Sequence, residues 1–511
     1  MSAWIDPKYG GPPLEDEVAV APFTVARGLS ERTVTWLSAG LIAAIVLGVW
    51  IPWMFGPLTL DETGIYWVIS GGPAHIVPRA IFFPQSILYC FLLLGEVTVA
   101  GSSEFALRVP SLIASVITLV LLYRLGSRAV GQQNGFLLPL LWLFFVNPPS
   151  LAVQARPYAL AMCAGAWALY AMDGFLSQGR RRQLWTFALA ASIATYFSLL
   201  FVLFLAGCAA FLALLTFWYR RVRARQCLAI MTFWAAMLLP LVPQFRAGAA
   251  SSALHSVAIA ARGREDLCLA FLPLAIVLGL MAALVTTLIR GEPAQGTRWK
   301  PELLVFAVFV AVTTIGPLYA VTQFTPAKLW TSRYISLAFA PLALLYTAIL
   351  GRFSGASGRT AAIVVPAVLL FAPSFSTRMT PAAEIAGSFP KIVTALDTAS
   401  RATGGHIYLL SQFPEGWRWR FPVANADKEW LLAQFRYYKL SEPYDIIPYA
   451  LEQGDPAWRG TLTGKIRAES SFIVGGTWLP AWLEAATVDT HSLRFLTRTD
   501  SYFIAVFTRR R

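Results

Sequence analysis

Apolar runs separated by short arginine-bearing turns set the rhythm of this chain from residue 36 to residue 375. Many of the runs approach the roughly 20 residues an α-helix needs to cross about 30 Å of hydrocarbon. In lipid every backbone N–H and C=O must be satisfied within the protein, so the runs predict helices. Basic clusters punctuate them at Arg27 and Arg32; Arg124 and Arg128; Arg180, Arg181 and Arg182; Arg220, Arg221, Arg223 and Arg225; Arg290, Arg298 and Lys300; and Arg352 and Arg359. Short basic loops stay cytoplasmic, so two crossings are expected between each cluster and the next. The spans then fall at 36–56, 108–126, 135–149, 158–176, 184–199, 200–219, 226–243, 267–289, 303–322, 334–351 and 361–375, about eleven in all. Residues 1–35 are a cytoplasmic segment and 57–107 a large outer loop. Ser86 to Gly95 within that loop is apolar but covers only about 15 Å, and Pro84 and Glu96 bracket it. It is expected on the outer face, as a juxtamembrane or re-entrant helix, with a short but complete span, which would invert the topology downstream, as the competing reading.

From about Ser376 the pattern changes, and charges, tryptophans and turn residues replace the long apolar runs. "IYLLSQF", "SSFIVGG" and "SYFIAVFTRR" predict strands, while Pro381 to Ala399 and Asp427 to Lys439 carry helical periodicity. The fold class that follows is an α-helical polytopic membrane protein with a small C-terminal soluble α/β domain over 376–511. An odd number of spans puts that domain outside.

Composition agrees: 57% of the 511 residues are hydrophobic and 13% are charged, too few charges for a water-facing surface. The net charge of +14 sits in the turns, so it is read as a topology signal and not as a nucleic-acid surface. The segment before Trp36 carries Glu15, Asp16 and Glu17, unlike the basic start of a cleaved signal peptide, and the first span is expected to be retained. Cys90, Cys163, Cys208, Cys227 and Cys268 lie in or beside apolar runs without metal-ligand spacing and are read as packing residues. Nothing in the sequence indicates an oligomeric state.

On this topology the polar residues that need explaining gather outside. Asp61, Glu62, His75 and Arg79 lie in the first outer loop; Gln154, Arg156 and Tyr158 in "QARPYAL"; Arg246, His255, Arg262 and Arg264 after Gln244; and Lys328, Arg333 and Tyr334 in "KLWTSRYISL". Thr59 and Glu62 have the spacing of a capping box, which accounts for Glu62 but does not require an acid at Asp61. Adjacent residues diverge by about 100° around a helix, so the two carboxylates face different surroundings. Asp61 is the candidate catalytic base, with helix initiation as the competing reading. Lys328 and Arg333, cations on a face that the topology rule leaves poor in them, suit a phosphate at the interface, or else an aromatic and basic belt.

"LDETGIYW", "SSEFALRVPSLIASVITLVLLYRLGSRAVG", "QARPYALAM" and "KLWTSRYISL" together resemble the GT-C glycosyltransferases of the bacterial glycosyltransferase family 39 group, the protein O-mannosyltransferases and lipid A aminoarabinose transferases. The resemblance covers roughly residues 36–350. It implies a GT-C membrane module, a polyprenyl-phosphate sugar as donor, an envelope lipid, glycan or protein as acceptor, and an active face in the periplasm of a bacterial inner membrane. It also implies that Asp61 is the catalytic carboxylate, with Glu62, Arg79, Gln154, Arg156, Tyr158, Lys328, Arg333 and Tyr334 around the substrates. Two positions depart from the family. Gln154 stands where an acid is common, which weakens the case for a divalent metal, and Phe83-Pro84-Gln85 stands where the family often has His-Pro-Pro.

A single carboxylate suits one in-line displacement with inversion, because retention uses two carboxylates about 5 Å apart. The alternative from another class is a transporter or flippase of a lipid-linked sugar. Such proteins place ionisable groups near mid-bilayer, whereas these span interiors are nearly free of charge.

Overall fold

The protein was analysed as a computed structural model, which describes residues 31–82, 85–130, 135–146, 150–252, 264–290, 300–325, 329–377, 381–410, 433–447, 456–476, 479, 481–498 and 503–510. Among them, seven helices are long and apolar enough to cross a membrane: Thr35–Met54, Glu104–Val130, Tyr158–Gln178, Leu199–Phe217, Ala224–Ala247, Pro301–Phe324 and Ser332–Phe353. Arg264–Phe271 and Ile276–Arg290, bent by 57°, make an eighth if they form one span. The chain is a multi-pass helical membrane protein.

The other apolar runs form shorter helices, each for an identifiable reason. Leu137–Phe145 has nine residues, and every one is buried. It is enclosed by Glu104–Val130, Phe339–Phe353 and Ala356–Thr377. A rise of about 13 Å is less than half the hydrocarbon, and its uniform apolarity reflects protein on all sides, which hydropathy cannot distinguish from lipid. Ile87–Ala100 runs past the predicted apolar stretch and stops at Gly101, whose φ of 82° belongs to the left-handed region that favours glycine. In the first span the ladder widens to a π-turn over Val46–Trp50, just before Pro52. Proline has no N–H for the carbonyl four residues back and its ring crowds that oxygen, which loosens the helix there.

Small residues set the close approaches. A Cβ on Gly207 would lie 2.2 Å from Thr313 Oγ1, so glycine is what lets Leu199–Phe217 sit against Pro301–Phe324.

The C-terminal residues form a five-stranded sheet in the order β2-β1-β3-β5-β4, with β1 His406–Leu410, β2 Tyr444–Ile447, β3 Ser471–Gly476, β4 His491–Arg498 and β5 Phe503–Arg509. β1 pairs in parallel with β2 and β3, while β5 runs antiparallel to β3 and β4. The alternation of strand side chains divides the core in two. Ile407, Leu409, Ile473 and Val506 pack with Phe389 and Leu396 of the Pro381–Thr403 helix. Tyr408, Phe472, Val474 and Phe507 pack with Leu462 and Ile466 of the Pro456–Ala468 helix. β1, β3 and β5 match the strands expected from sequence; β2 and β4 do not appear there, because β2 has four residues and β4 leaves Phe495 and Leu496 exposed. Of the expected helix over Asp427 to Lys439, Ala433–Tyr437 is observed as helix and 427–432 lie outside the described residues.

Candidate active site

The chain leaves the first span, turns through Gly56-Pro57-Leu58, and re-enters a helix over Leu60–Ser70. Thr59 caps that helix: its Oγ1 accepts the Glu62 N–H at 3.4 Å and Glu62 Oε2 accepts the Thr59 N–H at 2.8 Å, satisfying two of the N–H groups a helix start leaves open. Glu62 does more than cap. Its Oε1 accepts from Arg108 Nε at 2.8 Å and from the Ala155 N–H at 2.7 Å, and its Oε2 also accepts from Arg108 Nη2 at 2.8 Å. The residue is 1% exposed, and both oxygens are engaged. The resemblance places it among the substrate contacts; in the structure its two oxygens accept from Thr59, Arg108 and Ala155.

Arg108, fully buried at 0% exposure, completes this knot. Besides Glu62 it donates to the carbonyls of Trp53, Met54, Gly56 and Pro57 at 2.5–3.1 Å, and its guanidinium lies 4.3 Å from the centroid of the Trp53 ring. The carbonyls at the end of the first span have no helical N–H left to accept, and one arginine satisfies them while holding the next helix by its carboxylate. Sequence reasoning passed over Arg108 by starting the second span at that residue. The signal was present: an arginine one turn inside an apolar run requires a buried partner.

Asp61 points the other way. Its side chain is 36% exposed, and Oδ2 lies 2.6 Å from Arg333 Nη1 and 3.6 Å from Arg156 Nη2. Arg156 Nη1 also donates to the Asp61 carbonyl and to Gln85 Oε1, each at 3.2 Å, and Nη2 donates to the Tyr158 hydroxyl at 3.4 Å. Burial by itself would lower the pKa of Arg156, but the neighbouring Asp61 carboxylate and Tyr158 outweigh it and the value is raised. The cation stays charged. The Nε–H groups of Arg156 and Arg333 are buried and have no hydrogen-bond partner among the described residues. Tyr334 lies beside Arg333, with 5.2 Å from guanidinium carbon to ring centroid. Two guanidinium groups thus converge on one part-exposed carboxylate across 95 and 272 residues of chain.

The surrounding residues orient this group. Gln154 Nε2 donates to Thr59 Oγ1 at 2.7 Å, tying "QARPY" to the start of the Asp61 helix. Gln244, nearly fully buried, donates to the Gln85 carbonyl at 2.8 Å, so the residue that departs from the family's His-Pro-Pro is fixed beside Arg156. Arg79 is placed elsewhere: it donates to the Trp67 carbonyl at 2.6 Å and lies over the Trp67 ring, toward the far end of the Leu60–Ser70 helix, about 9 Å along the axis from Asp61. His75 is exposed and sits beside the Gly71 carbonyl. Lys328, His255 and Arg262 lie outside the described residues. Among those described, no three His, Cys, Asp or Glu residues are grouped to hold a metal ion.

The arginine-rich turns lie at the other end of the bundle. Arg128 pairs with Asp173 at 3.0 Å and Arg221 with Glu302 at 2.6 Å. Asp173 belongs to the helix whose start follows Arg156, and Arg128 ends the helix that begins near Arg108. Some 25 to 30 Å of helix separates the two sets.

A family model described as dolichyl-phosphate-mannose-protein mannosyltransferase matches residues 84–244. No curated protein matches the chain in sequence. Among solved structures, ArnT from Cupriavidus metallidurans, bound to undecaprenyl phosphate and in the apo state, superposes with a TM-score of 0.54 in both cases. Identity is 12%, over 92% of this chain and 98% of that one. The chain has the GT-C fold of the ArnT type. Arabinosyltransferase EmbB from Mycobacterium smegmatis aligns more loosely, at 17% identity over 73% of this chain and 33% of its own, with a TM-score of 0.37. The GT-C likeness includes the sheet domain, since 92% coverage reaches well beyond the helices.

Proposed function

We propose that this protein is a membrane glycosyltransferase that moves a sugar from a polyprenyl-phosphate donor to an envelope acceptor, on the periplasmic side of a bacterial inner membrane and with inversion at the anomeric carbon. The observation that carries the reading is the Asp61 cluster: a part-exposed carboxylate held by two arginines, Arg156 and Arg333, whose Nε–H groups have no partner among the described residues. In the reaction an acceptor hydroxyl attacks the anomeric carbon while its proton passes to the Asp61 carboxylate. The bond from that carbon to the phosphate oxygen breaks, and the lipid phosphate leaves with the electron pair. The charge growing on its oxygen is the kind that fixed guanidinium groups stabilise. The ligand bound in the similar ArnT structure, undecaprenyl phosphate, is a lipid of the same chemistry. The engagement of Glu62 by Arg108 supports inversion, since the nearest second carboxylate is taken. Periplasmic placement is supported by the position of Asp61 opposite the arginine-dense turns.

The test is transfer of labelled sugar from a polyprenyl-phosphate donor to an envelope lipid extract by purified protein. Wild-type transfer that falls by two orders of magnitude or more in Asp61→Asn supports the assignment. Transfer unchanged in that variant removes Asp61 from the chemistry, and lipid movement across vesicles without a new glycosidic bond would replace the reading with a flippase.

A further inference from the structure

The short helix Ala433–Tyr437 of the C-terminal domain lies against the Leu60–Ser70 helix that carries Asp61. It belongs to both cores at once: Ala433 and Tyr437 pack with the membrane helices, and Phe435 and Tyr438 with the sheet. Two consecutive tyrosines end it. The Tyr438 hydroxyl accepts the N–H of Leu58 at 2.7 Å, and Leu58 is itself fully buried, just before the Thr59 cap. The Tyr437 hydroxyl donates to the Ser102 carbonyl at 2.7 Å, at the entry to the Glu104–Val130 helix that bears Arg108, and its ring meets Tyr66 edge-on at 4.9 Å. The two rings also pack edge to face against each other, 4.8 Å apart.

The pair therefore grips both sides of the Glu62–Arg108 knot, one hydroxyl on each. We propose that Tyr437 and Tyr438 are positioning residues through which the soluble domain fixes the turn before Asp61, and so the direction of its carboxylate. This rests on Asp61 being the catalytic group. A neutral N–H with no other acceptor among the described residues is at stake at Leu58, and a buried donor left unpaired frees the segment it belongs to. The domain acts through the backbone at 58–62, without touching substrate.

The test uses the full-length protein in nanodiscs. Tyr438→Phe keeps the ring and removes the acceptor; Tyr437→Phe keeps the contact with Tyr66 and removes the donor. In Tyr438→Phe, amide exchange at residues 58–63 is expected to rise by about tenfold and kcat to fall by about tenfold, with the donor KM within twofold and the protein still folded at the assay temperature. Tyr437→Phe is expected to do the same more weakly. Unchanged exchange at 58–63 overturns the proposal, as does raised exchange with unchanged kcat, or a kcat that falls only in step with the folded fraction. Were the wild type to transfer no sugar, the glycosyltransferase reading would fall, and the exchange arm would decide the grip of the tyrosines by itself.

Discussion

Arg108→Leu should cost this protein a large part of its stability without touching the candidate active site directly. The guanidinium serves both oxygens of Glu62 and the carbonyls of Trp53, Met54, Gly56 and Pro57. Breaking a buried ion pair by removing one partner costs about 3–5 kcal/mol, because the other charge is left uncompensated. Carbonyls left without a donor add to that, although water reaching the part-buried Gly56 and Pro57 oxygens returns some of it. An estimate of about 5 kcal/mol is comparable with the whole stability of many domains. Arg108→Lys keeps the charge but offers three donors on a tetrahedral head instead of a planar fork, and should cost about half as much. The assay is denaturant unfolding in detergent followed by tryptophan fluorescence, with size-exclusion elution after heating as the control for aggregation. A folded Arg108→Leu protein within about 1 kcal/mol of wild type would refute the keystone role. So would a lysine variant no better than the leucine one. Adding Glu62→Gln to Arg108→Leu should recover part of the loss, because the stranded charge is then gone.

Arg333→Gln, which removes the nearest cation from Asp61, should lower kcat more than Asp61 geometry alone explains, by about 10²- to 10³-fold, measured in the same transfer assay; equal kcat would assign Arg333 to the aromatic belt. Leu141→Ala, in the enclosed nine-residue helix, should destabilise by about 2–5 kcal/mol, read from the same unfolding curves; a loss below about 0.5 kcal/mol would mean that lipid reaches it. The Asp445 carboxyl is held well below the usual range by hydrogen bonds from His406 and Lys465. Its stabilising contribution is therefore complete above the ordinary aspartate pKa of about 4 and is lost as pH falls below it. As the group is about one third exposed, the effect is under about 1 kcal/mol, visible as a shallower acid-side melting profile in Asp445→Asn.

Much of the site was legible in the sequence because its parts obey local rules. The capping box announced the helix start at Thr59, and the divergence of adjacent helical residues separated the fates of Asp61 and Glu62. The compartment shared by Asp61 and Arg333 followed from counting crossings between arginine clusters. What could not be read was set by tertiary packing. Arg108 announced that it needed a buried partner but not which one, Gln85 stood out only as a departure from a family pattern, and Arg79 was grouped with Asp61 because sequence proximity says little about which end of an eleven-residue helix a side chain serves. The nine buried residues of Leu137–Phe145 read as lipid-facing for the same reason: hydropathy reports apolar surroundings, not their identity.

The order in which the partners of Asp61 appear along the chain has a consequence for biogenesis. The ribosome releases the carboxylate first, Arg156 about a hundred residues afterwards, and Arg333 later still. A nascent chain thus threads most of its helices before the second cation reaches the Asp61 carboxylate, so the cluster closes only late in insertion.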